Sequence, residues 1–226
     1  MTKAIVIGAG VIGCSIAFEM AAKGYEVTTV DKAQSPGQGS TSASSAVVRF
    51  NYSTFDAVAL AWESFHCWKN WPQHLGKKQE RYSKMIDVGV VMLDAPVISG
   101  EKTSQLFDAV GIPYEVWNSK DLSKNVTGID AGKYWPPKKL DDDGFWEDAK
   151  ESLGAIFTPN GGYIDDPLLA TENLAQAALS AGVKFRFKSK VTKILREGNK
   201  VTGVELDGSE KILADIVINA GGPWSN

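Results

Sequence analysis

An α/β fold is what this sequence predicts, on three observations. A short β-branched run, Lys3 to Ile7, leads directly into Gly8-Ala9-Gly10-Val11-Ile12-Gly13. Helical periodicity then extends as far as Gly24, and a second strand-like run, Glu26 to Val30, ends on an acid, Asp31. Much later a helical stretch, Leu168 to Ala181, precedes several β-rich runs and a last one, Asp215 to Asn219. Strands alternating with helices in this way build a parallel sheet with helices against it.

The first run is apolar without alternation, the pattern of a strand buried on both faces. In the helix after it, Val11, Ile12, Ile16, Ala17 and Met20 fall on one side. Each glycine between strand and helix has a physical task. Gly8 permits the tight turn, Gly10 lets a pyrophosphate approach the backbone, and Gly13 lets helix and strand pack closely. The N-terminus of the helix carries about half a positive charge and unpaired N–H donors, which suit phosphate oxygens. Asp31 stands about 20 residues on, where a carboxylate accepts from ribose hydroxyls. An acid there favours a plain ribose over a 2′-phosphate, which would call for an arginine.

The segment after Asp31 separates two kinds of dinucleotide site. Lys32 to Arg49 is a long loop of small residues, with Gly37, Gly39, Ser40, Thr41, Ser42, Ser44 and Ser45 ahead of Ala46. A nicotinamide-type domain would resume strand and helix alternation instead. Small side chains leave room for a ligand and offer N–H and O–H donors to phosphate. The other reading, a flexible linker, fits poorly with the apolar Val47, Val48 and Phe50 that close the loop. Phe55 to Trp71 then reads as a helix packed through Leu60, Trp62, Phe65, Trp68 and Trp71. Met85 to Leu93 reads as one strand and Glu101 to Val110 as a helix closed by Gly111. Tyr134 to Asp143 is a polar insertion; its three consecutive acids repel one another and suit a solvated loop better than a metal. Gly154 to Thr158 is a strand, Pro159 to Gly162 a turn, and Asp165-Asp166-Pro167 opens the next helix. Val183 to Phe187, Val191 to Leu195, Val201 to Leu206 and Lys211 to Leu213 are strands, with hairpin turns marked by Asn199 to Gly203 and Asp207-Gly208.

The bulk properties exclude several classes. At 226 residues with net charge −3, the chain lacks the basic balance of a nucleic-acid binder. No apolar run approaches the roughly 20 residues of a membrane span. The glycine motif starts at Gly8, leaving no room for a secretory leader ahead of it. Cys14 and Cys67 are too few for a disulfide framework, so a reducing, cytoplasmic setting is expected. With His66 and His74 the only histidines, neither a zinc site nor a histidine-based triad is expected.

Together, GAGVIG from Gly8, the acid Asp31, the loop GSTSASSAVVRFNY, TPNGGYIDDPLL and the terminal NAGGPWS resemble the FAD-dependent D-amino-acid oxidase family. The sarcosine oxidase, glycine oxidase and dimethylglycine dehydrogenase branch is the most similar, and the resemblance covers essentially the whole chain. It implies an FAD-linked, glutathione-reductase-like Rossmann domain with an interleaved, mainly antiparallel substrate sheet. Residues 1–83 with 211–226 would form the FAD-binding domain and 84–210 the substrate elements. In this family the chain runs on beyond NAGGPWS, so a C-terminally incomplete fold, completed by further chain or a second polypeptide, is expected.

The cofactor implied is FAD, held by Gly8, Gly10, Val11, Ile12, Gly13, Asp31, Lys32, Gly39, Ser40, Thr41, Ser42, Ser44, Ser45 and Ala46. By resemblance alone, the backbone at Val191 lies against adenine, and Ala220, Gly221 and Trp224 form a loop beneath the cofactor. The reaction implied is oxidation of an amino acid or N-methylated amino acid to an imine, with oxygen or another carrier reoxidising the flavin. An Arg at the place of Arg49 holds the substrate carboxylate in the sarcosine oxidase branch, and Tyr52 is the aromatic three residues on. This chain departs at Ala46, where that branch has a basic residue, so covalent flavin attachment and electron acceptor stay open. The rival readings are a nicotinamide-dependent dehydrogenase, a partner-dependent flavin-binding fragment and a flavin-dependent hydroxy-acid dehydrogenase.

Overall fold

The computed structural model describes residues 1–94 and 99–225. In chain order the elements are β1 (Lys3–Ile7), α1 (Val11–Ala22), β2 (Glu26–Val30), β3 (Val47–Val48), α2 (Phe55–Lys69), α3 (Trp71–Leu75), β4 (Met85–Asp87), β5 (Val90–Leu93), α4 (Gly100–Val110), β6 (Glu115–Trp117) and α5 (Ser119–Asn125). The later elements are β7 (Ala155–Thr158), β8 (Gly162–Ile164), α6 (Pro167–Ser180), β9 (Lys184–Arg186), β10 (Val191–Glu197), β11 (Lys200–Leu206), β12 (Lys211–Leu213) and β13 (Ile216–Asn219). No helix among the described residues is long and apolar enough to cross a membrane.

The chain forms two compact units. The first comprises Met1–Ala46, Trp68–Met85 and Ile164–Asn226, the second Val47–Cys67 and Ile86–Tyr163. In the first, a parallel sheet runs in the order β13-β1-β2-β9. Period two along β1 explains its three layers. Ala4 and Val6 share a core with Ala17 of α1 and Ala178 of α6. Ile5, between them, packs with Val204 and Leu206 of the antiparallel sheet β10-β11-β12. The central strand is thus covered on both faces, as its unbroken apolar run predicts.

These contacts place the boundary elsewhere than at residues 83/84 and 210/211. Residues 164–210 fold with the nucleotide-type sheet, because β9 extends it beside β2 and α6 lies in the same core as α1. Residues 47–67, expected with the first domain, belong to the second unit.

In the second unit, β7 is the middle strand of an antiparallel sheet β5-β7-β6. The Trp117 and Phe157 rings stack at 4.5 Å on it. A short antiparallel pair sets Val47 opposite Tyr163 and Val48 opposite Gly162. Behind Val48, Phe50 is fully buried and meets Trp62 and Phe65 of α2 edge-on, at 5.1 and 5.6 Å.

Four local expectations are corrected. The buried stripe of α1 is Gly13, Cys14 and Ala17, and Ile12 is 66% exposed, because the helix faces a close-packed strand through its smallest residues. The helix expected over Phe55 to Trp71 stops at Lys69 and restarts at Trp71, since Pro72 can donate no backbone N–H to a continuing helix. The strand expected from Met85 to Leu93 is two strands, divided where Gly89 takes φ +73°. The hairpin between β10 and β11 turns at Gly198-Asn199, and Gly203 lies inside β11, where a Cβ would collide with the Ile212 carbonyl.

Candidate nucleotide site and the Arg49 turn

In the first unit, β1 ends at Ile7, β2 at Val30 and β13 at Asn219, and the loops leaving these three neighbours gather at one edge. Open parallel sheets bind ligands at the carboxyl ends of their strands. Gly8 has φ +101°, and a Cβ there would lie 2.5 Å from the Ala220 carbonyl oxygen, so the turn and the approach of the terminal loop both require glycine. A Cβ on Gly13 would run into the Gly8 carbonyl. Gly10 is the N-cap of α1 and supplies no side-chain cap. Thr41 Oγ1 instead accepts from Val11 N–H at 3.2 Å, bringing the small-residue loop onto the helix start.

Asp31 holds this loop in shape. One carboxylate oxygen accepts from Ala9 N–H at 2.6 Å and the other from Ala33 N–H at 2.8 Å. Two carboxylate oxygens offer about four lone-pair sites, so acceptor capacity remains for ribose hydroxyls. The Asp31 carbonyl also accepts from Ser189 N–H at 2.9 Å, which docks the segment before Val191 beside it. The Val191 side chain packs in the core with Ile5 and Val204, an ordinary strand role for that side chain.

The terminal loop closes the same edge. Asn219 Oδ1 accepts from Gly221 N–H at 3.1 Å and shapes the turn. Lys32 Nζ lies 4.4 Å from the centroid of the Trp224 ring, and a Cβ on Gly39 would be 3.1 Å from that ring. Thr41, Ala220 and Gly221 therefore meet the glycine turn directly, and Lys32, Gly39 and Trp224 are brought together with one another at the terminal loop. The other loop residues are not: Ser40, Ser42, Ser44 and Ser45 are exposed. Ser42 Oγ donates to the Gly39 carbonyl, and Ser44 Oγ accepts from Ala46 N–H. Ala46 itself adopts φ +51°, costly for a non-glycine residue.

Sequence reasoning passed over three contributors. Ala9 accepts from Gly37 N–H at 2.9 Å, and Gly37, at φ +76°, packs against Leu168 and Thr171. Asn219 was legible as an Asx-type turn former ahead of two glycines. Cys14 is buried and its thiol donates to the Ala9 carbonyl at 3.4 Å. Burial first, and the Asp31 charge second, push that thiol up to about 12. At pH 8 only about 10⁻⁴ of it is thiolate, against roughly a quarter for an ordinary cysteine. Native protein treated with iodoacetamide at pH 8 should leave Cys14 unmodified, and denatured protein should take two labels by mass. Labelling of Cys14 in the native state would contradict its enclosure.

Arg49 and Tyr52 belong to the second unit. Tyr52 N–H donates to the Phe50 carbonyl at 2.9 Å, closing a tight turn at Asn51. Arg49 Nη1 donates to the Asn51 carbonyl at 2.8 Å, and the guanidinium lies 5.1 Å from the Tyr52 ring centroid. Among the described residues Arg49 forms no ion pair with a carboxylate. The guanidinium is exposed, with most of its five donors available.

The first unit fits FAD. Gly10 puts no side chain at the helix start, Gly8 and Gly13 have no room for one, and Asp31 keeps acceptor capacity. Gly8 to Gly13 would hold the pyrophosphate and Asp31 the ribose.

The model of the family described as "DAO: FAD dependent oxidoreductase" matches residues 3–226. Among solved structures, L-proline dehydrogenase from P. horikoshii is similar over 100% of this chain and 54% of its own, at 25% identity and a TM-score of 0.77. Glycine oxidase from Bacillus cereus ATCC 14579 is similar over 100% of this chain and 56% of its own, at 22% identity and a TM-score of 0.69. Iminodiacetate oxidase from Chelativorans sp. BNC1 is similar over 98% and 56%, at 21% identity and a TM-score of 0.65. The chain thus spans about half the length of the solved structures it matches. By the match over residues 3–226, the chain belongs to the DAO family of FAD-dependent oxidoreductases.

Proposed function

We propose that the protein carrying this chain oxidises the C–N bond of an α-amino acid or N-methylated amino acid to an imine. The observation that carries the substrate class is Arg49, an exposed guanidinium held by the Asn51 carbonyl and the Tyr52 ring. A planar fork fixed in this way suits both oxygens of a carboxylate. The likeness to L-proline dehydrogenase supports an amino acid as the substrate. Bound FAD supplies the two-electron acceptor for this chemistry. The substrate gives up a carbon-bound hydrogen with its electron pair and a proton from nitrogen. Water then converts the imine to an oxo acid or an aldehyde. Oxygen or another carrier reoxidises the cofactor. Arg49 would bind the carboxylate and Tyr52 would hold Arg49 in place, both positioning rather than moving protons.

Arg49→Lys is expected to lower kcat/KM by about 100-fold, the loss of about 3 kcal/mol of bidentate, charge-assisted binding. The visible flavin spectrum of this variant should be unchanged. The assay pairs an amino-acid panel with a hydroxy-acid panel, and turnover of hydroxy acids alone would overturn the substrate class.

A second reading, a flavin-binding body active only with a further polypeptide, draws on the chain's covering 54% of the matched dehydrogenase. The purified 226-residue chain showing a flavin spectrum but no reduction by any amine would favour it.

A further inference from the structure

Asn51 sits at the centre of the Arg49 turn, and its side chain is an anomaly. The residue is only 9% exposed, and both amide atoms, Nδ2 and Oδ1, are enclosed without a hydrogen-bond partner among the described residues. Its neighbour Phe50 is fully buried in an aromatic cluster. A buried amide with neither donor nor acceptor satisfied costs about 1–3 kcal/mol for each group. Such a cost, at a position between the Arg49 proposed to meet substrate and the Tyr52 ring that holds it, marks a group that finds its partner in a ligand. The partner must offer a donor and an acceptor together. An α-amino acid does so, with an N–H on one atom and a carboxylate oxygen close by on the same α-carbon.

We propose that Asn51 sets specificity for amine-bearing carboxylates: Oδ1 accepts from the substrate N–H and Nδ2 donates to a carboxylate oxygen, beside the Arg49 fork. This rests on the function proposed for Arg49 and goes further, because it assigns recognition of nitrogen to a residue of this chain. The flanking Arg49 and Tyr52 side chains are both exposed, and the enclosed Asn51 amide between them reaches a ligand held there by turning outward about its side-chain bonds. An oxygen in place of the substrate nitrogen removes the donor while keeping shape and carboxylate. Sarcosine against methoxyacetate, and L-proline against tetrahydro-2-furoate, are the matched pairs.

The test is calorimetric titration of the FAD-loaded protein and its Asn51→Leu variant with both pairs, alongside thermal unfolding. The wild type should prefer the amine member by about tenfold or more, one hydrogen bond's worth. Asn51→Leu should erase that preference, weaken the oxygen analogue by about tenfold through loss of the Nδ2 bond to the carboxylate and the amine member by about tenfold more, and unfold at the same or a higher temperature. An equal loss for both members of a pair, or a variant of lower stability, would make Asn51 structural and overturn the proposal. A variant that keeps the wild-type preference would overturn it as well. A wild type that binds no member of either pair would remove the functional reading itself, and this inference with it. Retention of the Arg49→Lys effect with loss of the Asn51 effect would remove only the latter.

Discussion

Gly13→Ala is expected to leave the protein unable to retain FAD, with affinity reduced by about 100-fold or more and the visible flavin absorbance lost on desalting. The added methyl group, fixed in place by its own backbone, would meet the main-chain carbonyl oxygen of Gly8. No flexible side chain can yield, so α1 must move off β1. Overpacking of this kind costs about 1–3 kcal/mol, and here the strain falls on the turn that would cradle the pyrophosphate. The same movement would disturb the hydrogen bond from Ala9 N–H to Asp31 and that from Val11 N–H to Thr41 Oγ1. One methyl group thus reaches three of the elements that form the site. Gly24→Ala is the control. Gly24 has φ +85° but a Cβ there meets nothing within 4 Å, so it should cost about 1 kcal/mol and leave FAD binding intact. Wild-type flavin retention by Gly13→Ala would show that close approach of helix and strand does not set the site.

These glycines were legible in the sequence because their requirements are local. A strand, a turn at positive φ and a helix start lie within eleven residues, and β2 forms over the same five residues, Glu26–Val30, that the pattern predicts. Arg49 and Tyr52 were legible only through resemblance, since nothing in VVRFNY by itself says that a guanidinium is held over a ring. Their contact with each other is a finding about geometry; the contact of Arg49 with substrate is a proposal. The division of the chain was not legible. An amphipathic helix such as α6 announces that one face will be covered, not that α1 will cover it. Likewise β9 carries no mark that β2, more than 150 residues earlier, is its neighbour. Asn51 was equally silent, because burial of an amide without a partner is a property of the folded surroundings.

Asn173→Ala is expected to lower stability by about 3–5 kcal/mol, the largest effect of any single polar substitution proposed for the first unit. Asn173 lies on α6, 3% exposed, and uses its whole amide. Oδ1 accepts from Trp71 Nε1 at 3.3 Å and from Ser83 N–H at 3.1 Å. Nδ2 donates to Gln79 Oε1 at 2.7 Å and to the Arg81 carbonyl at 2.9 Å, while Gln79 Nε2 donates back to the Asn173 carbonyl. Residues 76–84 contain no helix or strand, so their backbone groups have no ladder to join. Asn173 supplies partners for the Ser83 N–H and the Arg81 carbonyl, and Asp165 for the Lys84 N–H, which together fix where this segment lies. Truncation leaves the Ser83 N–H, the Trp71 indole N–H and the Arg81 carbonyl unpaired, at about 1–3 kcal/mol for each group that stays buried. These penalties overlap, since the loosened segment would let water in. At about 2–4 °C per kcal/mol for a chain of this size, the midpoint should fall by about 10 °C. Gln79→Ala should cost much less, because Gln79 is itself only half-buried and water can take its place beside Asn173. Limited proteolysis separates local from global effects: with Asn173→Ala, cleavage between residues 76 and 84 should precede any cleavage in β1 or β2. A midpoint within about 2–3 °C of wild type, with no new cleavage there, would mean that the segment is held by its apolar anchors Trp71 and Leu75 and that the amide network is incidental.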